Sequence, residues 1–383
     1  MENRLKSVIN KFEIHSEFES YQELNSGHIN DTFLIKTKLK PQYVLQKVNR
    51  TVFKKPEELI ENKVWVSNHL QDKLKYLTQD EIQQKVLCFV KAKDNTFFYE
   101  DEDSNIWNVS IFIENSVTYL KAKNTQIAFE AGKIIGNFLE LTKDFDISKI
   151  TTILTDFHSV TVRHQQFKKA LQNASESKIN KTKGLIAFVE NSINEMLTID
   201  KAIEQKKLPL RLTHNDTKIS NILFSKEGKA LCLIDMDTVM KGVLHFDYSD
   251  AIRALCNTVN EDEANVEKIE FNFQFFESYT RGFFQEYKSI SHEELKLLPI
   301  SIKILPFLMG LRFLTDYLSD DVYFKTKYKK HNLDRAINQF TFVEKISKQF
   351  HKIEAFIQTL KKFLNTFFYS KIDFIFLNFT IEI

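Results

Sequence analysis

The sequence contains few residues of several types that characterise particular protein classes. Its three cysteines are an odd number without paired spacing, which argues against a disulfide framework and against a zinc site. The net charge is only +2, from 53 basic and 51 acidic residues, so we expect neither nucleic acid nor a membrane as a partner. Residues 1–14 contain no apolar core followed by a cleavage site, which predicts a cytoplasmic protein without a secretory signal. Glycine is also scarce, at 8 residues, so a glycine within a motif is informative.

The remaining composition is ordinary for a globular protein. Hydrophobic residues make up 43% of the chain and charged residues 27%. The 383 residues exceed the ~250–300 residues at which single hydrophobic cores stop growing. We therefore expect a chain of two lobes, present as a monomer or a weak dimer.

The first part of the chain has the pattern of a β-sheet with one helix. Residues 56–74 have helical spacing and begin with a proline, which favours a helix start. Short runs rich in β-branched and aromatic residues predict strands of an antiparallel sheet. These runs are residues 28–35, 43–49, 85–92, 95–100 and 108–115.

The pattern changes to helices after residue 115. A helical pattern begins at Thr125, and long amphipathic segments recur near 159–175, 182–205, 262–289 and 331–365. Residues 171–184 are the most loop-like interior segment. A β-rich first part and a helix-rich second part are typical of a two-lobed enzyme with a cleft.

The C-terminal segment, residues 366–383, is rich in phenylalanine and isoleucine. Polar residues interrupt it too often for a membrane-spanning helix, which needs ~20 mostly apolar residues. Its alternation favours a strand of unknown role.

Residues 208–253 contain the strongest functional pattern. They read as loop, strand, turn, strand and loop, with Gly228 in the hairpin turn. Asn221 precedes the first strand of this hairpin and Asp235 ends the second. Asp216, Asn221 and Asp235 are therefore expected to converge at one end of a β-ribbon. Asp and Asn supply the oxygen ligands that magnesium prefers, and a carboxylate can accept the proton of an attacking hydroxyl in phosphoryl transfer.

A purely structural role for these residues is the alternative. Asn and Asp are common in turns, and an isolated D-x-x-x-x-N pattern carries little information. Here His214 precedes the pattern and an apolar strand ending in Asp follows it, which favours a catalytic site. We expect His214 to brace the loop by hydrogen bonding, and Asp247 and Asp250 to anchor the metal loop through backbone hydrogen bonds.

Several motifs resemble those of a known superfamily. HNDTKISNILF, LIDMDTVMKG and FDYSDAIR are similar to the catalytic and metal-binding loops of the aminoglycoside phosphotransferase and choline kinase superfamily. Together with GHINDTFLI, YVLQKVN and LRFLTDYLSDDVYFKTKY, they most closely resemble the N-acetylhexosamine 1-kinase branch. The resemblance extends over about residues 20–345.

This resemblance implies an α+β fold of the protein-kinase-like, two-lobed type. A small N-lobe with an antiparallel sheet, residues 1–115, would bind the nucleotide. A larger helical C-lobe, residues 116–365, would carry the catalytic and acceptor sites, with residues 366–383 as an additional tail. The resemblance also implies that Asp216 is the catalytic base, that Asn221 and Asp235 bind Mg²⁺, and that ATP is the co-substrate.

Nucleotide contacts are expected in three segments. Gly27, His28 and Asn30 lie where the superfamily has its phosphate-covering turn, although an ordinary hairpin turn remains an alternative. Strand alternation lets only one of two neighbours face the nucleotide, and Lys47 is preferred to Gln46 as the residue at the phosphates. Glu61 would pair with Lys47, and the connection containing Ile113 and Asn115 would offer backbone groups to adenine. The residues in this group are Gly27, His28, Asn30, Lys47, Glu61, Ile113 and Asn115.

The acceptor is expected to be a small sugar. The resemblance suggests that Arg312 and Tyr323 contact an N-acetylhexosamine, and that Thr217 and Lys218 hold the acceptor or the transferred phosphate beside Asp216. A surface salt bridge between Arg312 and Asp316, four residues apart on a helix, is the structural alternative.

The expected reaction is therefore phosphorylation of GlcNAc or GalNAc at the anomeric hydroxyl. A related kinase for an aminoglycoside, choline or another amino alcohol is the second possibility. A non-catalytic kinase-like binding module is the third, and the intact Asp216, Asn221 and Asp235 argue against it.

Overall fold

The structure is a computed structural model that describes residues 1–24 and 29–360. Gly27, His28 and the C-terminal segment 366–383 lie outside these residues. The chain divides into two compact units. The first unit contains Met1–Phe157, Pro209–Leu255 and Gln274–Ser289. The second contains His158–Leu208, Cys256–Phe273 and residues 290–360.

The helices and strands of the described residues follow in chain order. The helices are α1 (Glu2–Ile9), α2 (Pro56–Lys73), α3 (Gln79–Lys85), α4 (Thr125–Leu141), α5 (Val160–Asn173), α6 (Glu176–Met196), α7 (Thr198–Glu204), α8 (Leu244–Cys256), α9 (Phe273–Glu286), α10 (His292–Leu318) and α11 (His331–Lys348). The strands are β1 (Phe18–Glu23), β2 (Asp31–Thr37), β3 (Tyr43–Lys47), β4 (Tyr99–Glu100), β5 (Ile106–Ile111), β6 (Ser116–Val117), β7 (Arg211–Thr213), β8 (Ile222–Ser225), β9 (Ala230–Leu233) and β10 (Met240–Gly242).

An antiparallel sheet forms the N-terminal part of the first unit. Its strand order is β1-β2-β3-β5-β4. Strands β2 and β3 bury alternate residues, including Phe33 and Ile35 on β2 and Leu45 on β3. These side chains pack with Phe12 and Trp107 in one apolar cluster. Polar side chains can therefore occupy the opposite face of this sheet.

Two smaller sheets complete the first unit. Strand β6 pairs with β8, β8 pairs with β9, and β7 pairs with β10, all antiparallel. Helix α4 packs on β9, and α2 packs on the short 3₁₀ helix Met236–Thr238. This arrangement places the segment that follows β9 between α2 and the loop of residues 214–217.

The second unit is built around helix α10. Helices α5, α6, α7 and α11 pack against it. By length and composition α10 could cross a membrane, but 72% of its most apolar window is buried within the protein, as in the core helix of a globular protein. A capping box formed by Ser291 and Glu294 begins the helix.

The structure confirms the predicted α+β fold, with an antiparallel sheet in the N-terminal region and a helical C-terminal part. The domain ranges 1–115, 116–365 and 366–383 remain predictions.

Three local predictions were wrong. Residues 85–92 form isolated bridges, Phe12 to Ala92 and Phe89 to Ser110, instead of a strand. The predicted loop 171–184 is almost entirely helical, because the Ser175 side chain accepts from Lys178 N and caps the start of α6. The predicted helix 262–289 begins only at α9; before it, Thr258 Oγ1 donates to Lys268 O and holds an irregular segment.

Candidate active site

The β8–β9 hairpin brings Asn221 and Asp235 to the same end. Ile222 pairs with Leu233, and Ile234 N donates to Asn221 O at 2.8 Å. Gly228 forms the turn at the other end with a φ of 83°, a conformation that favours glycine. Asp235 therefore follows directly after the residue that faces Asn221, as the sequence predicted.

Asp216 is held beside Asn221 by hydrogen bonds from the Asn221 side chain. Asn221 Nδ2 donates to both Asp216 O and Asp216 Oδ2 at 2.9 Å. Lys218 Nζ lies 2.7 Å from Asp216 Oδ2. Burial by itself raises the pKa of Asp216, but the charge and hydrogen bond of Lys218, with the hydrogen bond from the Asn221 amide, outweigh it and lower the pKa below its ordinary value. Asp216 is thus an ionised carboxylate at neutral pH.

The loop that carries Asp216 is held by Asp247 at the start of α8. Asp247 Oδ2 accepts from His214 N at 2.8 Å, and Asp247 Oδ1 accepts from Asn215 N at 2.6 Å. Burial raises the pKa of Asp247 to about 7, against the effect of these two donors. Thr217 Oγ1 also donates to Asp247 O at 2.5 Å. Asp247 thus forms the predicted backbone hydrogen bonds, but to the loop that carries Asp216 and not to the metal loop, and Asp250 accepts from the Arg253 guanidinium.

His214 braces the same loop from inside. Its side chain is fully buried, its Nε2 lies 3.0 Å from Ile234 O, and its Nδ1 accepts from Asp216 N at 3.3 Å. These partners place the proton on Nε2, and burial lowers the pKa of the ring. The imidazole is neutral and links the loop before Asp216 to the strand that ends at Asp235, as predicted.

Asp235 differs electrostatically from its neighbours. It adopts a left-handed backbone conformation, with a φ of 62°. Burial, Asp237 and Asp216 raise its pKa to about 7. Within the described residues, Asp216 and Asp237 each have an ammonium partner, Lys218 and Lys63, while Asp235 has none. A divalent cation at Asp235 would relieve this excess of negative charge.

The side-chain oxygen atoms of Asn221 and Asp235 suit Mg²⁺, which binds oxygen ligands in nucleotide-binding sites. The Nδ2 of Asn221 is occupied by Asp216, which leaves its amide oxygen for a cation beside the Asp235 carboxylate. No group of three or more His, Cys, Asp or Glu side chains that could hold a metal occurs among the described residues. Magnesium in phosphate-transferring enzymes commonly takes one or two protein ligands, with waters and phosphate oxygens completing the shell. Asn221 and Asp235 are therefore the residues that would hold it.

A second buried network, which the sequence analysis missed, lies beside Asp235. Lys63 Nζ, on α2, donates to Asp237 Oδ1 at 2.7 Å and to Gln46 Oε1 at 2.8 Å. Asn30 Nδ2 donates to Asp237 Oδ2, and Gln46 Nε2 donates to the same oxygen at 3.4 Å. The Lys63 side chain is only 4% exposed. One signal was available: Lys63 lies on the apolar stripe of α2 between Leu59 and Val66, where a lysine requires a buried partner.

The predicted position of Lys47 was wrong. Lys47 Nζ lies 2.5 Å from Asp31, and its ammonium lies over the Trp107 ring, on the opposite side of β3 from Gln46. Glu61 is exposed on α2 and does not pair with Lys47. Neighbouring side chains of a strand point to opposite faces of the sheet. Because Gln46 on β3 points toward Asp237, Lys47 points to the other face.

The connection between the large sheet and the hairpin contains Ile113 and Asn115. Ile113 is buried and its carbonyl accepts from Ser116 Oγ at 2.7 Å, while Asn115 has a φ of 56°. Strand β6 begins at Ser116 and pairs with β8. Contact of this connection with adenine remains a prediction.

The predicted acceptor residues of the second unit lie together. Arg312 NH2 donates to Tyr323 OH at 3.5 Å, and its guanidinium lies 5.7 Å from the Tyr323 ring centre. Burial and Arg163 lower the pKa of Arg312 to about 10. Asp316 does not form the alternative surface bridge: it is buried and accepts from Tyr323 N and Phe324 N at 2.8 and 2.9 Å. Contact of Arg312 or Tyr323 with a sugar remains a prediction.

Comparison with known proteins agrees with this geometry. Residues 125–279 match the family model described as the phosphotransferase enzyme family, APH. This range contains Asp216, Asn221, Asp235 and Asp247. Over this range the chain is therefore similar to the phosphotransferase enzyme family.

Solved structures show the same fold over nearly the whole chain. A microcompartment-associated aminopropanol kinase is 14% identical, with a TM-score of 0.62 and coverage of 92% of this chain and 98% of that one. A spectinomycin phosphotransferase in complex with ADP and spectinomycin is 11% identical, with a TM-score of 0.59 and coverage of 92% and 98%. A choline kinase from Cryptosporidium parvum is 15% identical, with a TM-score of 0.53 and coverage of 91% and 93%.

Proposed function

We propose that this chain is a small-molecule phosphotransferase of the APH family and that it transfers the γ-phosphoryl group of ATP to the anomeric hydroxyl of an N-acetylhexosamine. The observation that carries the proposal is the arrangement at one end of the β8–β9 hairpin, where Asn221 Nδ2 donates to Asp216 and the backbone bond from Ile234 N to Asn221 O places Asp235 at the same end. Phosphoryl transfer depends mainly on positioning and charge stabilisation, and this arrangement supplies both.

Asp216 is the proposed base. Its Oδ2 is held by Lys218 and Asn221, which leaves Oδ1 to receive a proton from the acceptor hydroxyl. The acceptor oxygen forms a bond to the γ-phosphorus, the bond from that phosphorus to the β-phosphate bridging oxygen breaks, and ADP leaves. Lys218 is placed beside the base to balance negative charge as the new bond forms. Bound Mg²⁺ would neutralise charge on the phosphates, with Asn221 and Asp235 as its protein ligands.

The choice of a sugar rests on the resemblance of the sequence motifs and on the side chains in the second unit. A guanidinium and a phenol, those of Arg312 and Tyr323, suit the hydroxyl and amide groups of a neutral sugar. A cationic acceptor would instead favour an acidic or aromatic pocket. Thr217, whose hydroxyl is used by Asp247, is proposed to act through its backbone, and Lys218 through its ammonium.

A related kinase for an amino alcohol or aminoglycoside is the second candidate. It is favoured by the similarity to the aminopropanol kinase, the spectinomycin phosphotransferase and the choline kinase. At 11–15% identity these structures support the fold rather than an acceptor.

A coupled ADP-release screen separates the candidates. GlcNAc, GalNAc, choline, 1-amino-2-propanol and kanamycin are compared with and without Mg²⁺. We expect Mg²⁺-dependent turnover of an N-acetylhexosamine, with loss of its reducing end in the product, because a 1-phosphate blocks ring opening. Turnover of choline or the amino alcohol without turnover of any sugar would replace the first candidate with the second.

A further inference from the structure

A buried cation beside the metal loop comes from a helix, whereas the protein-kinase pattern places the phosphate-binding cation on a strand. In that pattern a lysine on the third strand faces the nucleotide phosphates and pairs with a glutamate on the following helix. Here β3 presents the neutral Gln46, and α2, the helix that follows it, presents Lys63. The Lys63 side chain pairs with Asp237, two residues after the proposed metal ligand Asp235.

Lys63 Nζ has one N–H donor without a hydrogen-bond acceptor among the described residues, and the centre of the Phe89 ring lies 5.6 Å from it. An ammonium carries three N–H donors, and Lys63 uses one on Asp237 and one on Gln46. Asn108 Nδ2 also donates to Gln46 Oε1, at 3.1 Å, which fixes the orientation of the Gln46 amide. The direction of the remaining donor is thus fixed by neighbouring side chains rather than by solvent.

The elements that meet at Lys63 are those that would surround the phosphates. Asn30 belongs to the predicted phosphate-covering turn and donates to Asp237. Asp237 lies two residues after Asp235 on the metal loop and accepts from Lys63 Nζ at 2.7 Å. The predicted alternative, Lys47, is turned to the other side of β3.

We propose that Lys63 is the residue that contacts the nucleotide phosphates in this chain, held in place by Asp237 and Gln46. The proposal rests on the proposed use of ATP and deepens it by naming the cation. In this arrangement Lys63 on α2 supplies the positive charge, and Asp237 on the metal loop is its counter-ion. The ion pair between them fixes the position of Lys63 relative to Asp235.

The test compares nucleotide binding with nucleoside binding. Replacing Lys63 alone would leave Asp237 buried without a cation, so the variants are Asp237→Asn and the double variant Lys63→Met with Asp237→Asn. These two proteins differ only in the lysine, and in neither is a carboxylate at position 237 left buried without its cation. Affinities for MgATP, MgADP and adenosine are measured by calorimetry without any acceptor. Lys73→Met, which removes an ion-paired lysine elsewhere on α2, is the matched control.

We expect the double variant to bind MgATP about 10- to 100-fold more weakly than Asp237→Asn, as loss of one charge-assisted hydrogen bond would produce. Adenosine affinity should be unchanged, and Lys73→Met should match the wild type for both ligands. Equal MgATP affinities of the two variants would overturn the proposal, and so would parallel losses for MgATP and adenosine. Failure of the wild type to bind MgATP would instead reject the proposed function itself.

Discussion

Asp216 has two carboxylate oxygens with different surroundings. Oδ2 accepts from Lys218 Nζ at 2.7 Å and from Asn221 Nδ2 at 2.9 Å, so the orientation of the group is fixed before an acceptor binds. The lowered pKa of Asp216 keeps it ionised at neutral pH. A base that is already deprotonated and oriented requires no rearrangement at the moment of transfer.

Replacement of this base should therefore affect turnover rather than nucleotide binding. Asp216→Asn keeps the shape of the side chain but cannot accept the proton, so we expect kcat to fall by ~10²-fold or more. The dissociation constant for MgATP should stay within a few-fold of the wild-type value. Steady-state kinetics and calorimetry measure the two quantities. Asp72→Asn, an exposed carboxylate on α2, is the control and should leave both unchanged. A wild-type kcat in Asp216→Asn would show that Asp216 is not the base.

Helices α4 and α9 pack closely against each other where each of them has a glycine. A Cβ atom at Gly132 would lie 2.0 Å from Tyr279 O, and one at Gly282 would lie 2.0 Å from Phe129 O. Both obstacles are backbone atoms, which cannot move aside as a side chain can. The two helices can therefore pack at this distance only with glycine at both positions.

A pair of glycine substitutions tests this packing. Gly132→Ala must separate α4 from α9, so we expect the free energy of unfolding to fall by about 3 kcal/mol or more, at the upper end of single-residue effects. Gly184→Ala lies in the middle of α6 with no atom within 4 Å of the new Cβ. It should stabilise the protein by about 0.5–1 kcal/mol through helix propensity alone. Urea denaturation gives both values, and a destabilisation by Gly184→Ala equal to that of Gly132→Ala would argue against the backbone contact.

Asp316 anchors the loop that follows α10. Its carboxylate accepts from the backbone N–H groups of Tyr323 and Phe324, and Asn332 Nδ2 donates to it at 2.9 Å. The bonds fix the backbone of Tyr323, which is proposed to contact the acceptor, while its side chain is 68% exposed. Asp316 thus positions the loop and has no need to touch a substrate.

Loss of this anchor should be visible in acceptor binding. We expect Asp316→Ala to raise KM for the acceptor by about tenfold or more. Without the anchor, the loop would have to become ordered when the acceptor binds, and the cost of that ordering would weaken acceptor binding. KM for MgATP should remain near the wild-type value, since the nucleotide residues belong to the first unit. Tyr323→Phe serves for comparison, because it removes the hydroxyl that bonds Arg312 but keeps the anchored backbone. Equal effects on both KM values would indicate a general structural role.

The elements that sequence patterns predicted well are those fixed by local signals. The β8–β9 hairpin was identifiable because two apolar runs flank Gly228, and from it the meeting of Asp216, Asn221 and Asp235 followed. Strand alternation at β3 was also correctly recognised, but it could not show which of Gln46 and Lys47 faces Asp237. That choice depends on the packing of Leu45 in the apolar cluster, which is a tertiary contact. The partnership of Lys63 with Asp237, 174 residues apart, has no local signal beyond a lysine on an apolar stripe.

At the scale of the whole molecule, the residues proposed for chemistry and for the nucleotide belong to one unit. Asp216, Asn221, Asp235 and Lys63 all lie in the first unit, although the intervening segment His158–Leu208 belongs to the second. The chain thus leaves the first unit and returns to it before the catalytic loop. Ligand binding to these residues should therefore stabilise the first unit against unfolding.

The buried thiols provide a measurement of that stabilisation. All three cysteines are free and buried, and burial raises the pKa of Cys88 to about 11 and that of Cys232 well above its ordinary value. Alkylation requires an accessible thiolate, so labelling at pH 8 must wait for an opening of the structure. Cys232 lies on β9, which ends just before Asp235. Its labelling therefore reports on the hairpin that carries the proposed metal ligands.

We expect iodoacetamide to label Cys232 far more slowly in the native protein than in urea, and saturating MgATP to slow it further. At a nucleotide concentration of 100 times Kd, selective binding to the native state stabilises it by about 2.7 kcal/mol. The population of the open state then falls by about 100-fold, and alkylation of Cys232 slows by the same factor. Peptide mass spectrometry resolves the three sites, and a short cysteine peptide in the same solution controls for reagent consumption. If MgATP left the rate at Cys232 unchanged while calorimetry showed full occupancy, the nucleotide would be bound somewhere that does not depend on the β8–β9 hairpin.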